Sequence, residues 1–316
     1  MIVTQSQLER RIAEISAGVK DPRAGLFGPG SMTWRISRES IVFLGAGRAA
    51  LLQLAHPYVA HGIEQHSATR ADPVGRFNRT FLHVYGMIFG DLESAVGASL
   101  GVRKVHDRVH GPIDEDVGRY ARGHRYTAHD EPALFWVFAT LIETSVMAYE
   151  LGVGRLSPAE KDTYYQESKL FAALFGIAEE AMPPDWPAFK RYCDEMTSGD
   201  ALAVGRPARE TARFLLTPPR GVLGPFMRGY AALTTGLLPP RIREGFGLPF
   251  GPAEQASFRR TLRAVERLWP LLPDRLRWVP DYVEARRRLE GRPRPDKVGR
   301  AVQQRILGSV KPQRAG

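Results

Sequence analysis

Apolar residues along this chain recur every three to four positions between helix-start and helix-stop signals, and no run alternates one by one between turns. That periodicity points to an all-α class, with several amphipathic faces buried against one another. The punctuation is specific. Residues 4–18 open on a capping Thr4 and stop at Gly18. Asp72-Pro73 pairs a good N-cap with proline at the first helical position; Phe77, Phe81, Val84 and Ile88 follow at helical spacing up to Gly90. Asp130 before Glu131-Pro132 starts a long apolar helix to about Leu151, and Ser157-Pro158-Ala159-Glu160 is a complete capping box. A helix begins at Pro183–Pro187, two more fall within 206–235, and late ones cover 253–272 and 280–290. Ser37 to Ala60 reads as one helix bent or ended at Pro57. Residues 91–110 read as another, with Gly97 or Gly101 as points of interruption. The expectation is a single all-α domain over 1–290 followed by a basic tail over 291–316.

Composition narrows the function classes. The 316 residues are 43% hydrophobic, too apolar for a disordered chain. Cys193 is the one cysteine, so an intramolecular disulfide, a Cys-rich zinc site, a C-x-x-C pair and a covalent haem attachment are all excluded. A reducing, cytoplasmic setting is expected. The first residues, MIVTQSQLERRIAEIS, place charges where an export signal needs an apolar run. The longest apolar stretches, 41–60, 132–149 and 222–240, contain Arg48, Glu143 and Arg228. A charge at the centre of a membrane span costs about 2.5–3.5 kcal/mol on insertion scales. Buried core helices are therefore expected rather than spans, with peripheral membrane contact left open. The chain carries 44 Lys+Arg against 34 Asp+Glu, a net +10, densest around Arg286, Arg287 and Arg288 and in the tail. No aromatics interleave with these bases and no nucleic-acid module is recognisable, so a solvated face is expected and nucleic-acid binding is not. GAGRAA at 45–50 imitates a dinucleotide loop but sits inside a helical pattern.

The histidines are the chemical anomaly. All eight (56, 61, 66, 83, 106, 110, 124 and 129) fall within 74 residues. Histidine is the commonest metal-ligand side chain, although any one of them taken singly is more often a structural residue. Two segments in the window carry patterns. In RFNRT, Arg76 and Thr80 share a helix face, with Arg79 beside Thr80. In RKVHDRVHG, Arg103 and His106 are i,i+3, and His106 and His110 are i,i+4. Guanidiniums near an imidazole suit a metal ligand that carries carboxylates, and haem b with its two propionates answers that description. The same arginines would equally make salt bridges to Asp72, Asp91 or Asp107.

The window from 48 to 143 resembles a known family. Its blocks RAALLQLAHPYVAHGIEQHS, DPVGRFNRT, FGD, RKVHDRVHG, YTAHDEP and WVFATL follow the order of the DUF2236 family. That family includes latex-clearing rubber oxygenases and the MpaB-type oxygenases of fungal meroterpenoid pathways. The resemblance implies a globin-like helical core holding non-covalent haem b. It puts the iron ligand at His106, through the R-x-x-H-x-x-V-x-G pattern, and cofactor-binding residues at Arg76, Thr80 and Arg103. One position departs. Rubber oxygenases can carry a lysine between that arginine and threonine, where this chain has Arg79. A guanidinium stays protonated and is a poor iron ligand, so the implied distal side is open or water-filled, with Arg79 and Thr80 as hydrogen-bond donors. The upstream glutamate base falls nearest Glu64.

Three functions follow. The first is a haem b-dependent oxygenase acting with dioxygen on an apolar, isoprenoid or polyene substrate, with His106 on the iron and Arg79, Thr80 and Glu64 as catalytic groups. The second is a haem-binding sensor without catalysis. The third is a non-haem metal enzyme using His106 and His110, with Glu64 or His61 as a third ligand. Phe81, Phe89, Trp136 and Phe138 are candidate pocket walls, though aromatics at helical spacing are more often plain core.

Overall fold

Caps decide where most of the helices begin. The side chains of Thr4, Asp91, Asp130, Ser157 and Asp185 each accept a hydrogen bond from the backbone N–H three residues on, satisfying a donor that the first turn leaves orphaned. The computed structural model describes residues 1–67, 73–217 and 224–307, with side chains except at 73–79, 225–226, 302 and 304–307. In chain order the helices are α1 (Gln5–Ala17), α2 (Met32–Ser37), α3 (Val42–Leu54), α4 (Pro57–His66), α5 (Pro73–Phe89), α6 (Leu92–His106), α7 (Glu131–Gly152) and α8 (Pro158–Ala173). They continue with α9 (Trp186–Ser198), α10 (Arg206–Leu216), α11 (Gly224–Leu237), α12 (Pro240–Gly245), α13 (Pro252–Leu268), α14 (Asp274–Arg277), α15 (Pro280–Leu289) and α16 (Lys297–Leu307). The expected all-α class holds. The one sheet among the described residues is a ribbon between α6 and α7, β1 (His110–Pro112) antiparallel to β2 (Arg125–Thr127), with Gly111 opposite Tyr126.

The segment expected as one helix from Ser37 to Ala60 is broken twice. Residues 38–40 leave the helix because their backbone pairs elsewhere. Ser40 N donates to Arg277 O (2.6 Å), Val279 N donates to Arg38 O (2.8 Å), and Glu39 bridges to Trp278. At the second break Pro57 does not bend a helix but begins one, and the His56 ring accepts from Tyr58 N (3.3 Å) as the cap. Conversely α6 runs straight through Gly97 and Gly101. Within the expected basic tail, 297–307 form α16. Arg300 reaches back to Asp281 (3.0 Å) and Glu284 (2.6 Å) around α15.

The core forms around α7, whose Phe135, Trp136, Phe138, Ile142 and Val146 are all buried. Among the described helices it is the one long and apolar enough to cross a membrane, but two thirds of its apolar stretch is buried by protein. Helix α3 lies against it at close range. A Cβ on Gly45 would stand 2.5 Å from Thr144 Cγ2, so only glycine admits this approach. The two charges that interrupt these apolar helices meet each other. Arg48 Nη2 is 2.8 Å from Glu143 Oε2, Arg48 Nη1 donates to Thr144 Oγ1 (2.7 Å), and Nε donates to Leu237 O (3.1 Å). Lys190 binds the other Glu143 oxygen at 3.0 Å.

Candidate functional site

Helices α5 and α6 form an antiparallel hairpin turned at Gly90 and Asp91. Its register is fixed by small residues: Gly86 faces Ala98, and Gly101 faces the His83 ring. Continuing that register brings His106 level with about position 78 of α5, between Arg76 and Thr80. Along α6 the buried Ala95 and Ser99 and then His106 follow at helical spacing on the core-facing stripe. His106 is the last residue of the helix and is half-buried, with its ring 6.1 Å from that of His129.

The end of α6 is held by a small charged group. Asp107, the C-cap, accepts from His129 Nε2 at 2.8 Å. Burial lowers the basicity of His129 by more than the Asp107 hydrogen bond restores, and the His129 bond holds Asp107 below the usual carboxylate range. The two directions agree on a neutral imidazole donating to a carboxylate. Arg103 belongs to the same group. Its Nη1 donates to Val3 O (2.7 Å), and its Nε lies 3.1 Å from Asp107 Oδ1 without hydrogen-bond alignment, so that contact is an ion pair.

The remaining expected residues divide. Thr80 lies exposed on α5. Arg76 and Arg79 belong to α5, but their side chains are outside the described residues. Glu64 lies in a second cluster. Arg206 grips it from Nη1 (2.9 Å) and Nη2 (3.4 Å) and also binds Asp114 (2.7 Å), while the Arg206 backbone N–H donates to Glu115 (2.9 Å). His61, fully buried, joins this cluster through Nε2 to Asp114 (2.9 Å), with Nδ1 fixed on Pro57 O (2.9 Å). Burial raises the Asp114 carboxyl, and the His61 bond and Arg206 charge more than offset that, leaving it low.

The pairing of His106 with His110 fails on geometry. The helix stops at His106, capped by Asp107, and the chain turns into β1, so the two do not share a helix face. His110 is exposed, and its carbonyl accepts from His66 Nε2 (2.9 Å). Among the described residues the one group able to hold a metal ion is His61, Asp114 and Glu115, whose candidate atoms lie within 4.8 Å of one another. Arg206 already supplies the positive charge there. No motif joined these residues beforehand, because they come from α4, the loop after β1 and the start of α10.

A cavity of about 70 Å³ opens beyond the α5 stripe formed by Phe81, Val84, Tyr85 and Ile88. Of the four candidate wall aromatics, Phe81 lines this cavity. Phe89, Trp136 and Phe138 are sealed in the core, at no more than 2% exposure.

A family model described as "ER-bound oxygenase mpaB/B'/Rubber oxygenase, catalytic domain" matches residues 34–267, about three quarters of the chain. No curated protein and no solved structure matches it.

Proposed function

The chain belongs to the mpaB/rubber oxygenase catalytic-domain family and is therefore an oxygenase, an oxidoreductase; from that premise we propose that it works with haem b on an apolar, isoprenoid or polyene substrate. The observation that carries the reading is the place of His106. One imidazole ends the core-facing stripe of α6, at the level of the Arg76–Thr80 stretch of α5.

The donor set fits the group. A single imidazole suits a proximal iron ligand, and arginines at 76, 79 and 103 suit two propionates. In this reading His106 holds the iron, while Arg76 and Arg103 meet the carboxylates. Haem b, when bound, would supply the redox chemistry for dioxygen. The protein does the rest. The Asp107–His129 bond and the Arg103–Asp107 ion pair fix the last turn of α6, and so the direction of the His106 ring. Thr80 and Arg79 are adjacent donors on α5 for charge developing on oxygen. Glu64 is the weakest of the assigned roles. A carboxylate held at both oxygens by Arg206 must be released before it can take a proton.

The test is spectroscopic. Protein produced with ample haem should show a Soret band, and His106→Ala should lose it while keeping its helical circular dichroism. A colourless, folded wild type would defeat the reading. Stoichiometric metal without porphyrin would instead favour the His61–Asp114–Glu115 group. Turnover of a prenyl or polyene compound with dioxygen separates an oxygenase from a haem carrier.

A further inference from the structure

The cavity enclosed by α2, α3, α5, α7 and α8 is lined by two kinds of group. Val42, Ala46, Ala49, Val84, Ile142 and Phe171 make it apolar. Seven hydroxyl-bearing residues also line it, and nearly all of their hydroxyls are already engaged. Thr33 donates to Glu167 (2.8 Å), Thr144 accepts from Arg48 (2.7 Å), and Ser168 donates to the carbonyl of Tyr165 (2.7 Å). Tyr164 has Ser37 and Ser145 as its hydrogen-bond partners. Tyr85 is the exception: it is 3% exposed, and its hydroxyl has no partner. A buried hydroxyl without a partner costs about 1–3 kcal/mol, so a tyrosine in this position calls for an acceptor, where phenylalanine would fit for nothing. Burial keeps the phenol protonated, with the Asp281 charge acting in the same direction, so its O–H remains available as a donor.

We propose that this cavity seats the oxygen-bearing end of an apolar ligand, with the Tyr85 hydroxyl donating to a carbonyl or ether oxygen. The volume of about 70 Å³ admits a head of a few heavy atoms rather than a whole chain. The ligand is therefore an extended apolar molecule whose oxygenated terminus enters here. Its remainder would run along the α5 stripe past Phe81 toward the level of Thr80. The inference rests on the oxygenase reading for the idea that the ligand is a substrate. It makes Tyr85 a positioning residue that selects oxygenated apolar molecules over plain hydrocarbons and fixes which bond lies next to the reacting centre.

Binding without turnover tests it, so the outcome does not depend on the iron chemistry. Calorimetry of the protein as purified would compare geranylacetone with the hydrocarbon in which its carbonyl is a methylene. The ketone should bind about three- to tenfold more tightly, the worth of one hydrogen bond. Tyr85→Phe should erase that preference and leave the hydrocarbon affinity unchanged. Ala46→Leu, which fills the cavity, should lose both ligands with circular dichroism unchanged. A ketone preference that survives Tyr85→Phe overturns the proposal, as does equal binding of both ligands by the wild type. Failure of folded wild type to bind either probe overturns it too, as does undiminished binding by Ala46→Leu. A missing Soret band together with the expected binding pattern would reject the haem reading and leave this one standing.

Discussion

Removing the Arg48 guanidinium should destabilise the protein by an amount that depends on pH. Arg48→Met keeps most of the stem volume but deletes the bonds to Glu143, Thr144 and Leu237 O. Breaking a buried ion pair costs about 3–5 kcal/mol, mostly because a charge is left behind without compensation. Lys190 still reaches Glu143 at 3.0 Å from the partly exposed side, so the low end, about 3 kcal/mol, applies. With an unfolding entropy of about 2.1 cal/mol/K per residue, a chain of this length loses about 4–5 °C in Tm. In the wild type, burial raises the Glu143 carboxyl and the Arg48 and Lys190 charges more than reverse this, so its folded pKa lies below the unfolded one. The stability it contributes is present above the unfolded value of about 4.3 and is lost as pH falls through the depressed folded value. In the variant burial is opposed by Lys190 alone. The folded pKa rises, and protonation on acidification relieves the stranded charge. Differential scanning calorimetry of both proteins should therefore show a gap that narrows from pH 7 to pH 4. A gap below about 1 °C at pH 7, or one that stays constant with pH, would refute the account. Thr144 lines the cavity, so the variant should also weaken ligand binding there.

Two further outcomes are expected. Burial, helped by the Arg119 charge, lowers His56 to about 4. A neutral imidazole is the capping form, and the stability it contributes is complete above the unfolded value of about 6.5 and lost as pH falls toward 4, up to about 3 kcal/mol. Urea unfolding across that window should show the loss, and His56→Asn, which keeps a capping side chain, should flatten the slope. Millimolar EDTA should leave Tm unchanged, because Arg206 already supplies the counter-charge among Glu64, Asp114 and Glu115. A fall of several degrees would promote the His61 group to a metal site.

Helices were legible wherever a local signal sufficed. Caps at Thr4, Asp130 and Ser157, each followed by an apolar stripe, marked starts that the structure keeps. The misreadings are places where a distant segment takes over the backbone. Residues 38–40 leave the helix to pair with 277–279, which no local pattern around Ser37 announces. The same holds for charge. Arg48 and Glu143 were visible only as interruptions of apolar runs, and pairing two residues 95 positions apart requires the fold. Tyr85 lay unnoticed within the apolar stripe of α5, since periodicity does not show which of its members lacks a partner.

The histidine cluster shows how a strong compositional signal divides between architecture and chemistry. His56 caps α4, His61 braces Asp114, His66 holds the carbonyl of His110, His124 bonds Tyr58 at 2.6 Å, and His129 holds Asp107. Much of the clustering thus comes from tying the short ribbon to the helices around it. The ribbon in turn decides the chemistry open to His106. Had α6 continued for one more turn, His106 and His110 would have faced the same way, as paired ligands on a helix do. Capping at Asp107, fastened by His129 from the far side of the ribbon, ends the helix first. One imidazole rather than two then stands on the last turn. A bare metal ion needs three or four protein ligands to stay bound, whereas a porphyrin brings four of its own. A helix that ends at its histidine is therefore better matched to a cofactor that needs one protein ligand.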